Sequence, residues 1–464
     1  MAIRGMHGWM AAAAMVMPIL WGSMARGESG ITVGNFAGSE TIRYSTPLIM
    51  GSLGDAKAES VTLVNQSSKR PTSKMTGLAH KGHFKVLADL VPGTNHLVLS
   101  GGGASTNLTL TFKPQTNPRV VRAIFYTDNT GDAGYLSPKA DDNQDVKGRM
   151  STAMLLMQSF SAESMHRMGY GRKTFNVELQ PDGTVKTFIV KGDQAPNSGL
   201  NQGAIDAAIN SQAARPDAHY LVLTGRGMGY TAIGGGGKAM MGGITIYSWP
   251  DSIANAQAAF MDATPIDAGK YHVDAIGRDV YWANSSTCIG ACLHEIDHTF
   301  GLPHSMDGFC IMTRGHDYFN RFFTLVEPPS KSNSQATEVK EDQIARYCRV
   351  TANNLACNKF FALDDIKYPD VPQPDIHVDR KARRITIKSQ AGIAFVGIEV
   401  PYANPGADYV VPIDPKKPAP KEITVTAKDW KGLNGQAFQV RVIDVNDRGG
   451  TDRDPFGGDY GKDK

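Results

Sequence analysis

Beyond its first 25 residues the chain has no apolar run approaching the ~18 residues that span a bilayer. A bundle of transmembrane helices is therefore excluded for that part. Charge of one sign is also missing: 48 Lys and Arg against 45 Asp and Glu leave a formal net charge of +3, with no basic stripe to track a phosphate backbone. Nucleic acid is not an expected partner. A phosphate-cradling loop is absent as well, because the glycine-rich segment IGGGGKAMMGG satisfies neither G-x-x-x-x-G-K-[ST] nor G-x-G-x-x-G. It reads as a bulged edge or a loop. Cysteine is sparse, with five residues, Cys288, Cys292, Cys310, Cys348 and Cys357, all in the second half. The odd count leaves at least one thiol without a partner in the chain. Their clustering suggests local disulfide staples, whose connectivity the spacing does not decide. Cys288 and Cys292, four apart and without a second such pair, do not make a structural zinc site.

What is present is ordinary globular material, 41% hydrophobic and 20% charged. A length of 464 residues exceeds one hydrophobic core and implies roughly three domains. The N-terminus carries Arg4, an apolar stretch from Trp9 to Leu20, and the small residues of Ser23-Met24-Ala25. This is the pattern of an export signal spanning residues 1–25, and it predicts a secreted or periplasmic protein with no transmembrane segment after signal removal.

Between residues 30 and 117, β-rich runs such as ESVTLVNQ and NHLVLSG alternate with Gly, Asn and Ser turns. They predict a small antiparallel, Ig-like β-sandwich, an appended module. From residue 118 strands alternate with helices. VVRAIFYTD, TFNVEL, HYLVLTG and ITIYSW are strand candidates, and Met150, Met154, Met157 and Phe160 recur at helical spacing as a core face. VEPPSKSNSQATE reads as a loop and EDQIARYCRV as a short helix closing the same domain. Past the proline-rich joint YPDVPQPD, alternating runs over 371–447 predict a second β-sandwich, and 448–464 a flexible tail.

The chemistry lies in CLHEIDHTFGLPHS, which fits H-E-x-x-H-x-x-G-x-x-H at every fixed position. On a helix, His294 and His298 stand one turn apart, so both imidazoles project from one face and can share a cation. Glu295 sets its carboxylate beside the metal, within reach of a water on it. Gly301 can take positive φ and end the helix, letting His304 swing back as third ligand. Three protein ligands with an open fourth position mark a catalytic Zn2+ site.

This extended motif resembles the metzincin clan of zinc peptidases, with Cys310-Ile311-Met312 similar to its methionine turn and Met312 supporting the metal from beneath. GGGGKAMMGGITIYSWP, STCIGACLHEIDHTFGLPHS and IMTRGHDYFNRFF together look similar to a zinc metallopeptidase family of fungi and bacteria, across roughly Val120 to Lys367. The resemblance implies an α+β, zincin-like catalytic domain over 118–367, flanked by the two small antiparallel β-sandwiches. It also implies zinc-activated hydrolysis of a protein or peptide substrate with Glu295 as general base. An edge strand for the substrate would come from ITIYSW or from the glycine-rich segment before it. Two residues after Met312, where some metzincins carry tyrosine, this chain has Arg314; His316, Arg314 and Tyr318 are all candidates for the oxyanion donor. Two other readings stay open: a secreted binding protein whose zinc site is catalytically idle, and a zinc hydrolase acting on a non-peptide bond.

Overall fold

The computed structural model describes residues 30–225, 227–305, 307–399 and, with gaps, 408–456. The expected export signal, residues 1–25, lies outside them.

Eight strands open the described chain: β1 Ile31–Val33, β2 Glu40–Ile42, β3 Leu48–Leu53, β4 Ser60–Asn65, β5 Lys74–His80, β6 His83–Leu87, β7 Gly93–Gly101 and β8 Ala104–Phe112. They hydrogen-bond into one sheet in the order β1-β3-β6-β5-β4-β7-β8-β2, antiparallel except for β2 beside β8. Alternation along β4 turns Val61 and Leu63 inward and leaves Thr62 partly exposed, the period-2 signature of a strand buried on one face. Strand existence matches the expectation. Independence does not, because the inward residues belong to the same hydrophobic cluster as the core of the following region.

The central sheet comprises β9 Val120–Thr127, β10 Thr187–Lys191, β11 Ala218–Thr224, β12 Ala232–Gly235 and β13 Lys238–Gly242, ordered β10-β9-β11-β13-β12. All neighbours are parallel except β12, which lies antiparallel on the outer edge. Strand β9 is buried on both faces, which is why its sequence is nearly continuous in apolar residues. Val121, Ala123 and Phe125 face the large core with α1 Val146–Arg167, while Ile124 and Tyr126 face α2 Gln202–Gln212 through Ile205 and Ile209. Helix α1 is buried almost all round, and Met150, Met154, Met157 and Phe160 are fully enclosed in it. A four-residue helix α3 Ala256–Ala259 precedes the long α4 Tyr281–Thr299, and a second short helix, α5 Asn320–Phe323, follows it.

Three local expectations change. ITIYSW is a 3-10 turn over Gly243–Ser248, not a strand, and the glycine-rich segment supplies strands β12 and β13. TFNVEL makes only an isolated bridge at Leu179, because its residues run as irregular backbone past β9. The helix expected at EDQIARYCRV is displaced to α6 Arg349–Cys357, with a 3-10 turn at Glu341–Gln343. VEPPSKSNSQATE is a loop, as expected, closed at its base by β14 Val326–Glu327 and β15 Thr337–Glu338.

Farther on, β16 Asp375–Asp379, β17 Arg384–Lys388 and β20 Glu422–Thr426 form a three-stranded sheet. Strands β18 Ile393–Glu399, β19 Asp408–Val410, β21 Gln439–Asp444 and β22 Gly449–Asp452 form a four-stranded one. Ile385, Ile387 and Val425 of the first share a core with Val396, Ile398, Val440 and Val442 of the second. The tail is not wholly free: β22 pairs with β21, and Phe456 is buried against this core, an apolar side chain too large to leave in water. A smaller cluster of Val350, Phe395, Val410 and Ile443 joins these sheets to α6.

The first sheet is also fastened by buried polar groups. Glu163 of α1 accepts from the Tyr44 hydroxyl and pairs with Arg172 at 2.8 Å, and the same guanidinium reaches Glu40 at 2.6 Å and the Asn35 carbonyl. Burial and the Glu163 charge push the Tyr44 hydroxyl well above its ordinary pKa, so it stays protonated as a donor. Removing one partner strands the other in a low-dielectric interior. Arg172→Ala should therefore lower the unfolding free energy by roughly 3–5 kcal/mol in chemical denaturation. Residues 30–117 and the central region should lose structure together. An early transition confined to the first sheet, with the central region intact, would contradict the shared core.

Candidate metal centre

Helix α4 carries the first two histidines. It ends at Phe300, and Gly301, at φ 83°, turns the chain back. The Gly301 amide donates to the His298 carbonyl at 3.0 Å and the Leu302 amide to the Asp297 carbonyl at 3.2 Å, the paired bonds of a glycine-terminated helix. That reversal returns His304 to the helix face it left.

His298 Nε2 lies 3.1 Å from His294 Nε2 and 3.2 Å from His304 Nε2. The second nitrogens explain why. His294 Nδ1 donates to the Ile311 carbonyl at 2.7 Å and His298 Nδ1 to the Leu302 carbonyl at 2.8 Å. A carbonyl only accepts, so each Nδ1 carries the proton and each Nε2 presents a lone pair. Lone pairs converging at this distance repel unless a cation lies between them. The donor set thus fits a metal ion of imidazole preference, and the three ligand atoms all lie within 4.8 Å of one another.

Electrostatics agree. Burial, then the neighbouring His316 and His298 rings, pushes His294 down to about 3, and burial also lowers His298. Both are neutral near pH 7, the form that binds a metal. Glu295, on the same helix, is buried without a charged partner, and desolvation pushes its carboxyl up to about 7. A cation beside it acts in the opposite direction.

Behind the ligand face, Asp297 accepts from the Tyr347 hydroxyl at 3.2 Å, and Ser161 of α1 is 2.9 Å from the same hydroxyl. Burial holds the Asp297 carboxyl well above its usual range. This chain of polar contacts fastens α4 to α1. Fully buried Met312 gives its carbonyl to the Ser305 amide at 3.0 Å, and the Thr313 hydroxyl donates to the Ser305 carbonyl at 2.5 Å. The loop bearing His304 is thereby pinned to the segment at Met312 and Thr313.

Of the three oxyanion-donor candidates, His316 packs against the cluster, its ring centre 5.2 Å from that of His294. Arg314 is 61% exposed and pairs with Asp317 at 2.7 Å. Tyr318 packs against Phe309 and under the Arg321 guanidinium, 4.0 Å over its ring. No disulfide braces the site: all five cysteines are free thiols.

Sequence reasoning missed Asp297, which occupies an unfixed position of the motif, and Gly234. A Cβ on Gly234 would fall 2.1 Å from the Glu295 carbonyl oxygen, so only glycine lets β12 lie directly on α4. The glycine run was the available signal, and close backbone approach is the reason for it.

Three converging imidazoles, two of them on one helix with a buried glutamate, form a group that could hold a metal ion. The chain belongs to the family described as "Putative peptidase family", whose model matches residues 30–198 and 206–394. A Schizosaccharomyces pombe protein named "Putative zinc metalloproteinase" is 25% identical over 467 residues, covering 90% of this chain and 74% of its own. A Saccharomyces cerevisiae protein of the same description is 24% identical over 309 residues, covering 55% of this chain and 44% of its own. Among solved structures, OgpA from Akkermansia muciniphila is similar over 73% of this chain and 93% of its own, at 15% identity and a TM-score of 0.45. The enzyme is a zinc-dependent peptidase.

Because β12 touches the backbone of Glu295, a side chain at Gly234 must lift the strand or tilt the helix. Gly234→Val should retain a full equivalent of zinc while kcat/KM on a peptide falls by about 10²-fold, the scale of an ångström-size misplacement. Unchanged kcat/KM would show that β12 does not line the reacting groove.

Proposed function

We propose that the chain is an exported, metzincin-type endopeptidase in which His294, His298 and His304 hold zinc and Glu295 is the general base. The observation that carries this reading is the convergence of three Nε2 atoms beside a buried Glu295 carboxyl, directly under an edge strand. Zinc, when bound, polarises the scissile carbonyl and lowers the pKa of its water.

The chain's own groups do the rest. The Ile311 and Leu302 carbonyls hold His294 and His298 in the tautomer that presents Nε2. Glu295 accepts a proton from the attacking water and passes it to the departing amine, for which a carboxyl raised by burial is suited. Among the described residues β12 has a strand neighbour on one side only, so its outer backbone groups can pair with an extended peptide lying over Glu295. His316, packed on His294, is the candidate best placed to donate toward the developing oxyanion. Residues 371–447, with a core of their own, are proposed as a separate β-sandwich module, and the first eight strands as a sandwich-like flank fused to the catalytic region. Residues 1–25 are proposed to direct export.

Glu295→Gln keeps the shape of the side chain and deletes the base. It should remain folded and zinc-replete and lose about 10²-fold or more in turnover of an unfolded protein substrate. His298→Ala should lose the zinc itself, read by metal analysis. Equal cleavage by parent and Glu295→Gln would overturn the assignment of the base. A zinc-replete parent inactive on every peptide and protein offered would favour the idle-site reading instead.

A further inference from the structure

The thiols the mechanism does not use include one matched pair. Residues 309–311 run alongside Arg346, with the Ile311 amide on the Arg346 carbonyl at 2.9 Å and the Arg346 amide on the Phe309 carbonyl at 3.0 Å. This pairing brings Cys310 beside Cys348, whose amide donates to the Cys310 sulfur at 3.3 Å. Both sulfurs contact one hydroxyl, that of Thr351, at 3.4 Å from Cys310 and 3.2 Å from Cys348. Ser305 adds a second hydroxyl 3.1 Å from the Cys348 sulfur. Among the described residues no other two cysteines share such a setting. Cys357 stands at the far end of α6 from Cys348, and Cys288 and Cys292 lie buried within α4.

The two sulfurs are chemically unequal. Cys348 is half-buried at the N-cap of α6, where helix amides and hydroxyl donors favour a thiolate. Contact with the Cys310 thiol, and then the Ser305 and Thr351 hydroxyls, lower its pKa. Cys310 is fully enclosed, and burial raises its pKa. A partly accessible, activated thiol beside a buried resolving thiol is the arrangement that thiol–disulfide exchange requires.

We propose that Cys310 and Cys348 form an intramolecular disulfide by exchange with a small-molecule disulfide such as oxidised glutathione, tying the methionine turn to the head of α6. The Cys348 thiolate attacks one glutathione sulfur, the glutathione S–S bond breaks, and one glutathione leaves and takes up a proton. Cys310 then gives its proton to water and attacks the Cys348 sulfur of the mixed disulfide, expelling the second glutathione. Two protein thiols are oxidised and one glutathione disulfide is reduced to two thiols. The bond encloses the segment carrying Met312, the residue whose carbonyl holds the His304 loop through Ser305. The same link fixes that floor to the helix on which the C-terminal sheets pack.

The test uses the full zinc-loaded chain, incubated with oxidised or with reduced glutathione, alkylated under denaturing conditions, and digested without reduction for mass spectrometry. Oxidation should remove two of the five alkylatable thiols. It should also yield one cross-linked peptide joining Cys310 to Cys348 and raise the melting temperature by about 5 °C through loop closure. Cys348→Ser should abolish both the cross-link and the melting shift; should it fail to fold, the wild-type peptide map decides alone. Five alkylated thiols after oxidation, a stable glutathione adduct on Cys348, or a link involving another cysteine would each overturn the proposal. None of these readouts depends on catalytic turnover.

Discussion

Two hydrogen bonds from imidazole Nδ1 atoms to backbone carbonyls decide which lone pairs the centre can offer, and much of the architecture serves to place those carbonyls. Leu302 supplies one because Gly301 adopts positive φ and folds the chain back under His298. Ile311 supplies the other because residues 309–313 are pinned on one side to Ser305 and on the other to Arg346. Neither carbonyl sits on an element that could hold itself in place. A short turn in water would exchange these bonds for solvent, and the imidazoles would lose both tautomer and direction.

The surrounding layers supply that rigidity. Helix α4 is buried over most of its length and is fastened to α1 through Asp297, Tyr347 and Ser161. Helix α1 is in turn clamped to the first sheet by the Glu163–Arg172 network, so the eight strands at the N-terminal end stiffen the helix against which α4 rests. The C-terminal sheets reach the site more lightly: the Arg441 guanidinium donates to the Gly301 carbonyl at the reversal itself. The three regions therefore differ in coupling. One shares the core of the centre, and the other has its own core and a small joint at α6.

Legibility in the sequence followed the range of the interaction. The helix bearing His294 and His298, the turn at Gly301 and the buried methionine face of α1 were readable because each rests on neighbours three or four residues apart. Strands of both flanks were readable from period-2 alternation. ITIYSW was misread because its apolar, β-branched composition suits a strand as well as a buried 3-10 turn, and packing against α4 and β11 made the choice. The edge strand over Glu295 comes from the glycines, the other of the two segments considered for it, which composition reads as a bulged edge or a loop. The tail concealed a strand because β22 gains its partner only from β21.

By itself the sequence determined the spacing of the three histidines, the glutamate beside them, the zinc chemistry that such a set suits, and the division of the chain into β-rich ends and a mixed centre. These are local properties, set by helix periodicity, residue type and the conformational freedom of one glycine. Only the tertiary structure decided that the first sheet shares the catalytic core, that His316 and not Tyr318 packs against the histidines, and that all five thiols are free. It also decided that Asp297 braces α4 from behind. Each of those outcomes depends on which distant segments pack together to bury apolar surface, and a single sequence carries no direct record of such pairings.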